Sequence, residues 1–319
     1  MSIQLEFRDI EYIHAIDKWK SVTAAAAALN ITQPALSIYI NRMEERFGVP
    51  IFNRVGKSFI LTYAGQCLLE DGLQILLLKK NIEERLSIIH DDLDGKILVG
   101  VPVMRGSSFL PVVLKEFRSC YPNIKIELTE SGYGMDLEEK LLSGEIDIAF
   151  YNVVEPHPAI DYTLIRRETV ALFASKDMPC VKNAISRPGF PYPWIDLNCC
   201  RPYPFLQSIP KQITARLCEM VFQDYDFTPT TQILVRNQLT AIGLANMGYG
   251  LFIAPDYFAV ISDLCWGPPL VLSIGKNEPY YIDFVAATRK KFHRSPPIRK
   301  LLEITTEFLN VGEKRRFQT

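Results

Sequence analysis

The chain lacks the marks of several common protein classes. Its 319 residues carry 35 Lys and Arg against 36 Asp and Glu, a net charge of −1, so the whole molecule is not built to bind a polyanion. Any nucleic-acid surface must be a local patch. The seven cysteines, at positions 67, 120, 180, 199, 200, 218 and 265, are odd in number and include no C-x-x-C pair. Neither a zinc site nor a secreted disulfide framework is indicated, and reduced thiols are the reading. Cys199-Cys200 is the one oddity, and the sequence supplies no activating base beside it for a redox role. The four histidines, His14, His90, His157 and His293, stand at no metal-ligand spacing. No metal or cofactor is therefore expected. There is no G-x-S-x-G, H-E-x-x-H, Walker or G-x-G-x-x-G fingerprint, so no enzyme is expected. A Cys–His nucleophile stays open, because such pairs meet only in the fold. Glu138-Glu139 reads as a hydrated pair on a helix face. No apolar run approaches the ~20 residues that cross a bilayer. Residues Met1 to Lys20 mix both charge signs without the pattern of a signal peptide. These absences predict a cytoplasmic protein with no membrane partner.

What is present is a core-forming composition: 48% hydrophobic and 22% charged residues, over a length that fits two or three compact units. In the first sixty residues Phe7, Ile10, Ile13, Ile16 and Trp19 mark one helical stripe, with Arg8, Asp9, Glu11 and Lys18 turned to water. Ser21 precedes a short alanine-rich helix, which Asn30-Ile31 breaks. Thr32 is an N-cap and Pro34 stands in the next first turn, where a missing N–H costs nothing. The spacing predicts a third helix over Gln33–Phe47, its buried stripe made by Leu36, Ile40, Met43 and Phe47. Pro34, Ser37, Ile38, Asn41 and Glu45 lie opposite, with Gln33 and Arg42 on the flanks. Two short helices joined by a tight turn, the second polar on its outer face, make a helix-turn-helix. Gly48 caps the helix. Two apolar runs around Val55-Gly56-Lys57 then predict a hairpin, with Arg54 and Lys57 near its tip suited to phosphates.

At this point a resemblance is specific. Residues 24–65, AAAAALNITQPALSIYINRMEERFGVPIFNRVGKSFILTYAG, resemble the DNA-binding domain of LysR-type transcriptional regulators. The family's order of residues is kept at Ala25-Ala26, Thr32-Gln33-Pro34-Ala35-Leu36-Ser37, Glu44, Gly48-Val49, Phe52, Arg54 and Leu61-Thr62-Tyr63-Ala64-Gly65. The resemblance implies double-stranded promoter DNA as a partner. Its candidate contacts here are Thr32, Gln33, Pro34, Ser37, Ile38, Asn41, Arg42, Arg54 and Lys57. Ile38, Tyr39 and Asn41 depart from the polar or basic residues usual in the family. Ile38 could meet a thymine methyl and Asn41 an adenine. Alternatively, Ile38 and Tyr39 pack against another helix or subunit.

Thr62 is a plausible N-cap for a proline-free helix from Tyr63 to about Asp91. Leu68, Ile75, Ile82 and Ile89 repeat every seven residues on it, with Leu86 and Leu93 in the neighbouring position and Gly72 and Lys79 interrupting that position. Such a seam meets a helix of a second subunit or packs on its own domain. The resemblance implies pairing between subunits, and a dimer of dimers. Beyond Asp91-Asp92-Leu93-Asp94-Gly95, strands and helices alternate, as in an α/β domain with a parallel sheet. The first strand is expected at Lys96–Val101, with a loop through Gly106 and a helix from about Ser108 to Tyr121. Two fragments, Leu142–Ala149 and Ala245–Pro255, resemble the LysR effector domain, which is similar to periplasmic binding proteins.

The expected fold is thus an N-terminal all-α winged helix-turn-helix (1–62), a linker helix (63–93), and a two-lobed α/β effector domain (95–312). Lobe I would span about 95–165 and 268–312, and lobe II about 166–267. A cleft between the lobes implies a small-molecule effector. Ser107 and Ser108, at an expected helix N-terminus, would seat a carboxylate or other anion, unless Ser108 is a plain N-cap. By resemblance Ser131, Asn152, Gln207 and Ser208 would also line the cleft. Tyr133, Phe150 and Phe205 would form aromatic walls or core. The implied function is effector-modulated promoter binding or activation, with a contact to RNA polymerase left open. The alternative is a solute-binding sensor without a DNA-directed role.

Overall fold

The computed structural model describes residues 4–55, 58–89, 95–132, 134–210, 212–290, 292 and 294–316. The chain divides into two compact units, Met1–Asp92 and Leu93–Thr319.

The first unit opens with α1 (Phe7–Trp19), α2 (Val22–Ala28) and α3 (Gln33–Phe47), followed by the hairpin β1 (Phe52–Val55) and β2 (Ser58–Leu61) and by α4 (Tyr63–Ile89). Its core gathers Ile13 and Ile16 of α1, Ala25 and Ala26 of α2, and Leu36, Ile40, Met43 and Phe47 of α3. Capping sets the boundaries. Ser21 accepts from Ala24 N, Thr32 accepts from Ala35 N, and Gly48 closes α3 in a left-handed conformation at φ 73°. Asn30, also left-handed at φ 56°, makes the turn between the two helices.

Three details explain why the family-like residues stand where they do. Glu44 Oε1 accepts from the backbone N–H groups of Ile51 (2.7 Å) and Phe52 (3.0 Å), which ties α3 to the start of the hairpin. Thr62 Oγ1 donates to Pro50 O and accepts from Gly65 N, capping α4. A Cβ on Gly65 would lie 2.4 Å from Ile51 O, so no larger residue fits.

The expected stripe of α1 needs two corrections. Phe7 and Trp19 are exposed, because they stand at the helix ends beyond the reach of the core. Asp9 is fully buried, at 0% exposure, not turned to water. Three donors hold it there: Glu6 N at 2.7 Å, Tyr39 Oη at 2.9 Å and the Arg46 guanidinium. On α4, Gly72 lies against Ile10, while Lys79 pairs with Glu11 at 3.4 Å and sits over the Phe7 ring. The residues that interrupt the second seam position are therefore the ones that pack on α1. Ile75, Leu78 and Ile82 are exposed. The side chains of Leu86, Ile89 and Leu93 lie outside the described residues.

The second unit runs through β3 (Gly95–Pro102), α5 (Val103–Cys120), β4 (Ile124–Ser131), α6 (Gly134–Ser143), β5 (Ile148–Val153), β6 (Ile160–Ala174), β7 (Phe205–Ser208) and α7 (Ile213–Asp224). It continues with β8 (Thr231–Val235), α8 (Gln238–Asn246), β9 (Phe252–Pro255), α9 (Tyr257–Trp266), β10 (Leu270–Ser273), β11 (Tyr281–Arg289) and α10 (Pro296–Arg316). The main sheet has the order β10-β6-β11-β5-β3-β4, with β9 also on β6, and β7 pairs β8 separately. β3 is parallel to β4 and β5, whereas β11 runs antiparallel to β5 and β6, so the sheet is mixed, not all parallel. Strand β6 pairs in two stretches: Ile160–Thr169 with β11, and Val170–Ala174 with β9 and β10.

Helix α5 begins at Val103, directly after the strand, so the expected loop through Gly106 is absent. Gly106 is a packing residue. A Cβ on it would come within 2.8 Å of Val101 Cγ1, so the glycine lets the first turn of α5 lie on β3. In the fragment Leu142–Ala149, Gly144 is left-handed at φ 78° and buried Asp147 accepts from Leu98 N at 2.9 Å. Phe150 and Phe205 are fully buried core, and Tyr133 lies outside the described residues. Strands β7 and β10 and helix α9 have no counterpart in the sequence reading.

Candidate DNA-reading face and effector cleft

On α3 the four apolar stripe residues are at most 7% exposed, which turns Gln33, Pro34, Ile38, Asn41, Arg42 and Glu45 to solvent. Ser37, half-buried, accepts from Gln33 Nε2 at 2.8 Å, so these two side chains form one polar patch on the first turns. Thr32 caps that end of the helix. Tyr39 separates from its neighbour: it points inward, donates to Asp9 and packs edge-on against Tyr12 at 4.7 Å. Burial and then the Asp9 hydrogen bond push its hydroxyl pKa up to about 12. Ile38, in contrast, is 54% exposed. Arg54 is exposed on β1 with its guanidinium 5.3 Å from the Phe59 ring. Lys57 lies outside the described residues.

In the second unit a cavity of about 320 Å³ opens at the carboxyl ends of β3, β4, β5 and β9, where Pro102, Ser131, Asn152 and Pro255 stand. Four helices also bring their first residues to it: Val103 and Met104 of α5, Ile213 and Thr214 of α7, Gln238 of α8, and Tyr257 and Phe258 of α9. Each terminus offers backbone N–H groups and the positive end of a dipole. The N-caps of α5, α7 and α9, Pro102, Gln212 and Asp256, make no side-chain cap. Gln238 Nε2 reaches Gln212 Oε1 at 3.1 Å and Thr214 Oγ1 at 3.3 Å, and Gln212 Nε2 donates to Arg236 O at 2.8 Å. Arg236 is the charged side chain on the wall, and no carboxylate lines it among the described residues.

Beneath the wall lies a buried polar layer. Glu168, at 0% exposure, accepts from Arg105 and, at 2.9 Å, from Asn152 Nδ2. The Arg105 guanidinium is sandwiched between the Tyr257 and Phe284 rings, 3.8 Å from each centroid. Burial, then the nearby Glu168, push the Asp256 carboxyl up to about 6, and Tyr192 Oη donates to it at 3.1 Å.

The cavity gathers two of the six residues expected from the sequence, Ser131 and Asn152. Ser208 sits one layer behind, accepting from Thr214 Oγ1 at 2.7 Å. Gln207 is not on the wall. Ser107 and Ser108 stand one turn into α5 and donate to its own carbonyls, those of Met104 and Arg105. Sequence reasoning missed Gln212, Thr214, Gln238, Tyr257 and Arg236. The strand-to-helix junctions before α7 and α8 carried the signal, since ligand sites in such sheets lie where strands hand over to helices. Cys199 is half-buried and Cys200 buried, where a Cys180 hydrogen bond and burial push the Cys200 thiol up.

Comparison with known families decides the identity. The model described as bacterial regulatory helix-turn-helix protein, lysR family, matches residues 7–66, and that of the LysR substrate binding domain matches residues 90–310. The chain belongs to the LysR family. It is a LysR-type transcriptional regulator, with a DNA-binding helix-turn-helix and an effector-binding domain. The Hca operon transcriptional activator HcaR of Escherichia coli K12 is 27% identical over 309 residues, 96% of this chain and 98% of that protein. The activator IlvY of Salmonella typhimurium is 26% identical, over 79% of this LysR-type chain and 83% of its own. Among solved structures, full-length OxyR C199D of Pseudomonas aeruginosa superposes with a TM-score of 0.68 at 19% identity, over 95% of this chain and 98% of that one. CbnR complexed with its target DNA gives 0.56 at 22% identity, over 94% and 99%. Both share the LysR fold. Among the described residues no helix is long and apolar enough to cross a membrane.

Proposed function

We propose that this regulator binds promoter duplexes through the outer face of α3 and Arg54, and that a small organic anion in the cavity modulates it. One observation carries the ligand class: four helix N-termini and Arg236 converge on a cavity with no carboxylate on its described wall. Such a field favours a negative charge. Val103, Met104, Ile213 and Phe258 add apolar contact for a compact hydrocarbon body. Ser131, Asn152, Gln212, Thr214 and Gln238 are the polar contacts in this reading. The ligand acts by binding two lobe arrangements unequally, since only differential affinity shifts an equilibrium. On the DNA side, Gln33, Ser37 and Asn41 reach base edges, and Thr32, Arg42 and Arg54 reach phosphates. The exposed Ile75, Leu78 and Ile82 of α4 pair with a second subunit, giving dimers that present two recognition helices. No catalytic step is assigned to the chain.

The test is a calorimetric titration of the full-length protein with small aliphatic and aromatic carboxylates and with their amides and amines. Carboxylates should bind and the matched amides should not. Preferential binding of amines would overturn the assignment. Affinity for DNA should fall steeply with salt, and a nearly flat dependence would count against the phosphate contacts.

A further inference from the structure

Ile38 is the one large aliphatic side chain among the solvent-facing residues of α3, and it stands 54% exposed. Its surroundings on the helix are Pro34 one turn before it, Ser37 beside it, and Asn41 and Arg42 one turn after it. Tyr39, the adjacent apolar residue, has an inward partner in Asp9, so internal packing accounts for one of the two apolar departures from the family pattern and not for the other. Single exposed aliphatics are commonplace on protein surfaces. This one occupies the centre of the face that a helix-turn-helix lays into the major groove. Pressing an isoleucine onto the donor and acceptor atoms of base edges would strip them of water without replacing their hydrogen bonds. The groove offers one apolar group that escapes this cost, the C5-methyl of thymine.

We infer that Ile38 is a specificity-determining residue that reads a thymine C5-methyl, with Asn41 one turn further on placed to bind an adenine edge. The inference rests on the proposed use of α3 as the recognition helix. It predicts an A·T step at a fixed position in each half-site, and it predicts that 5-methylcytosine, which carries the same methyl group, partly substitutes for the thymine.

The experiment uses the full-length protein and duplexes selected with it from a randomised library. Each thymine of a selected site is replaced in turn by deoxyuridine, which removes the methyl and keeps the base pair. Binding is measured for the parent, Ile38→Ala and Ile38→Val, with thermal unfolding as a control on folding. At one position per half-site, loss of the methyl should weaken the parent about threefold to fivefold, as expected for one buried methyl group. Ile38→Ala should bind the thymine and uracil duplexes equally, and Ile38→Val should retain most of the discrimination. Uracil penalties identical in the parent and Ile38→Ala would overturn the methyl contact while leaving the DNA-binding reading intact. Recovery of no preferred duplex at all would overturn both.

Discussion

Arg105 and Glu168 form an ion pair at 3% and 0% side-chain exposure, directly beneath the cavity. The two charges come from different elements, the first turn of α5 and the segment of β6 where that strand changes its pairing partner from β11 to β9. Tyr257 stacks on the guanidinium and Asn152 donates to the carboxylate, and both also line the cavity. The cavity wall and the ion pair therefore share one buried layer.

Breaking that pair from either side leaves a buried charge without its counter-ion. Arg105→Met and Glu168→Gln should each destabilise the C-terminal unit by about 3–5 kcal/mol. The double variant should recover part of that loss. Urea denaturation followed by tryptophan fluorescence measures all three, and strict additivity would show that the two groups do not interact.

Asp256 gives stability a specific pH dependence. Its carboxyl titrates near pH 6 in the folded chain, above the ordinary value of 3.8, because burial and Glu168 disfavour its charge. The folded state therefore holds its proton more tightly, and the stability present below the unfolded pKa is lost as pH rises toward the folded one. Asp256→Asn should stabilise the protein at pH 7 by up to about 3 kcal/mol, and the gain should vanish near pH 4. A gain that persists at pH 4 would rule out titration as its source.

Asp9 ties the start of α1 to α3 through Glu6 N, Tyr39 and Arg46. Asp9→Ala should destabilise the N-terminal unit by about 2–3 kcal/mol. Tyr39→Phe, which removes one donor only, should cost about 1 kcal/mol. Differential scanning calorimetry resolves the ranking.

Gly72 meets Ile10 so closely that an added Cβ would lie 2.7 Å from Ile10 Cγ2. That methyl belongs to a β-branched side chain with little freedom to move. Gly72→Ala should therefore lower the melting temperature of the N-terminal unit, although alanine is the better helix former by about 1 kcal/mol. A higher melting temperature would mean that α1 and α4 slide apart without cost.

Ile82→Lys, or Ile75→Lys, should shift the assembly toward smaller species in light scattering, because each puts a charge on the proposed seam. An unchanged mass for both would place the subunit contact elsewhere.

The elements with strong local signals were legible. Stripe, cap and glycine in Gln33–Phe47 agreed with one another, and α3 spans those residues. Asp9 was misread because its two side-chain partners, Tyr39 and Arg46, lie 30 and 37 positions away, which no local pattern reports. The start of α5 was misread because Gly106 looks like a loop residue; only the closeness of Val101 explains it. Helix α9 was missed because its apolar sequence blends into the buried strand before it.

The class of the protein was legible in its local patterns, since cap, period and motif act over a few residues and leave a local trace. Which face of α3 turns outward was legible for the same reason. The composition of the cavity emerged with the folded chain, because its wall is assembled from four strand ends and four helix starts that are scattered from Pro102 to Phe258. Residues so far apart are brought together by burial of the sheet between its helices, a cooperative property of the folded chain that no single segment encodes.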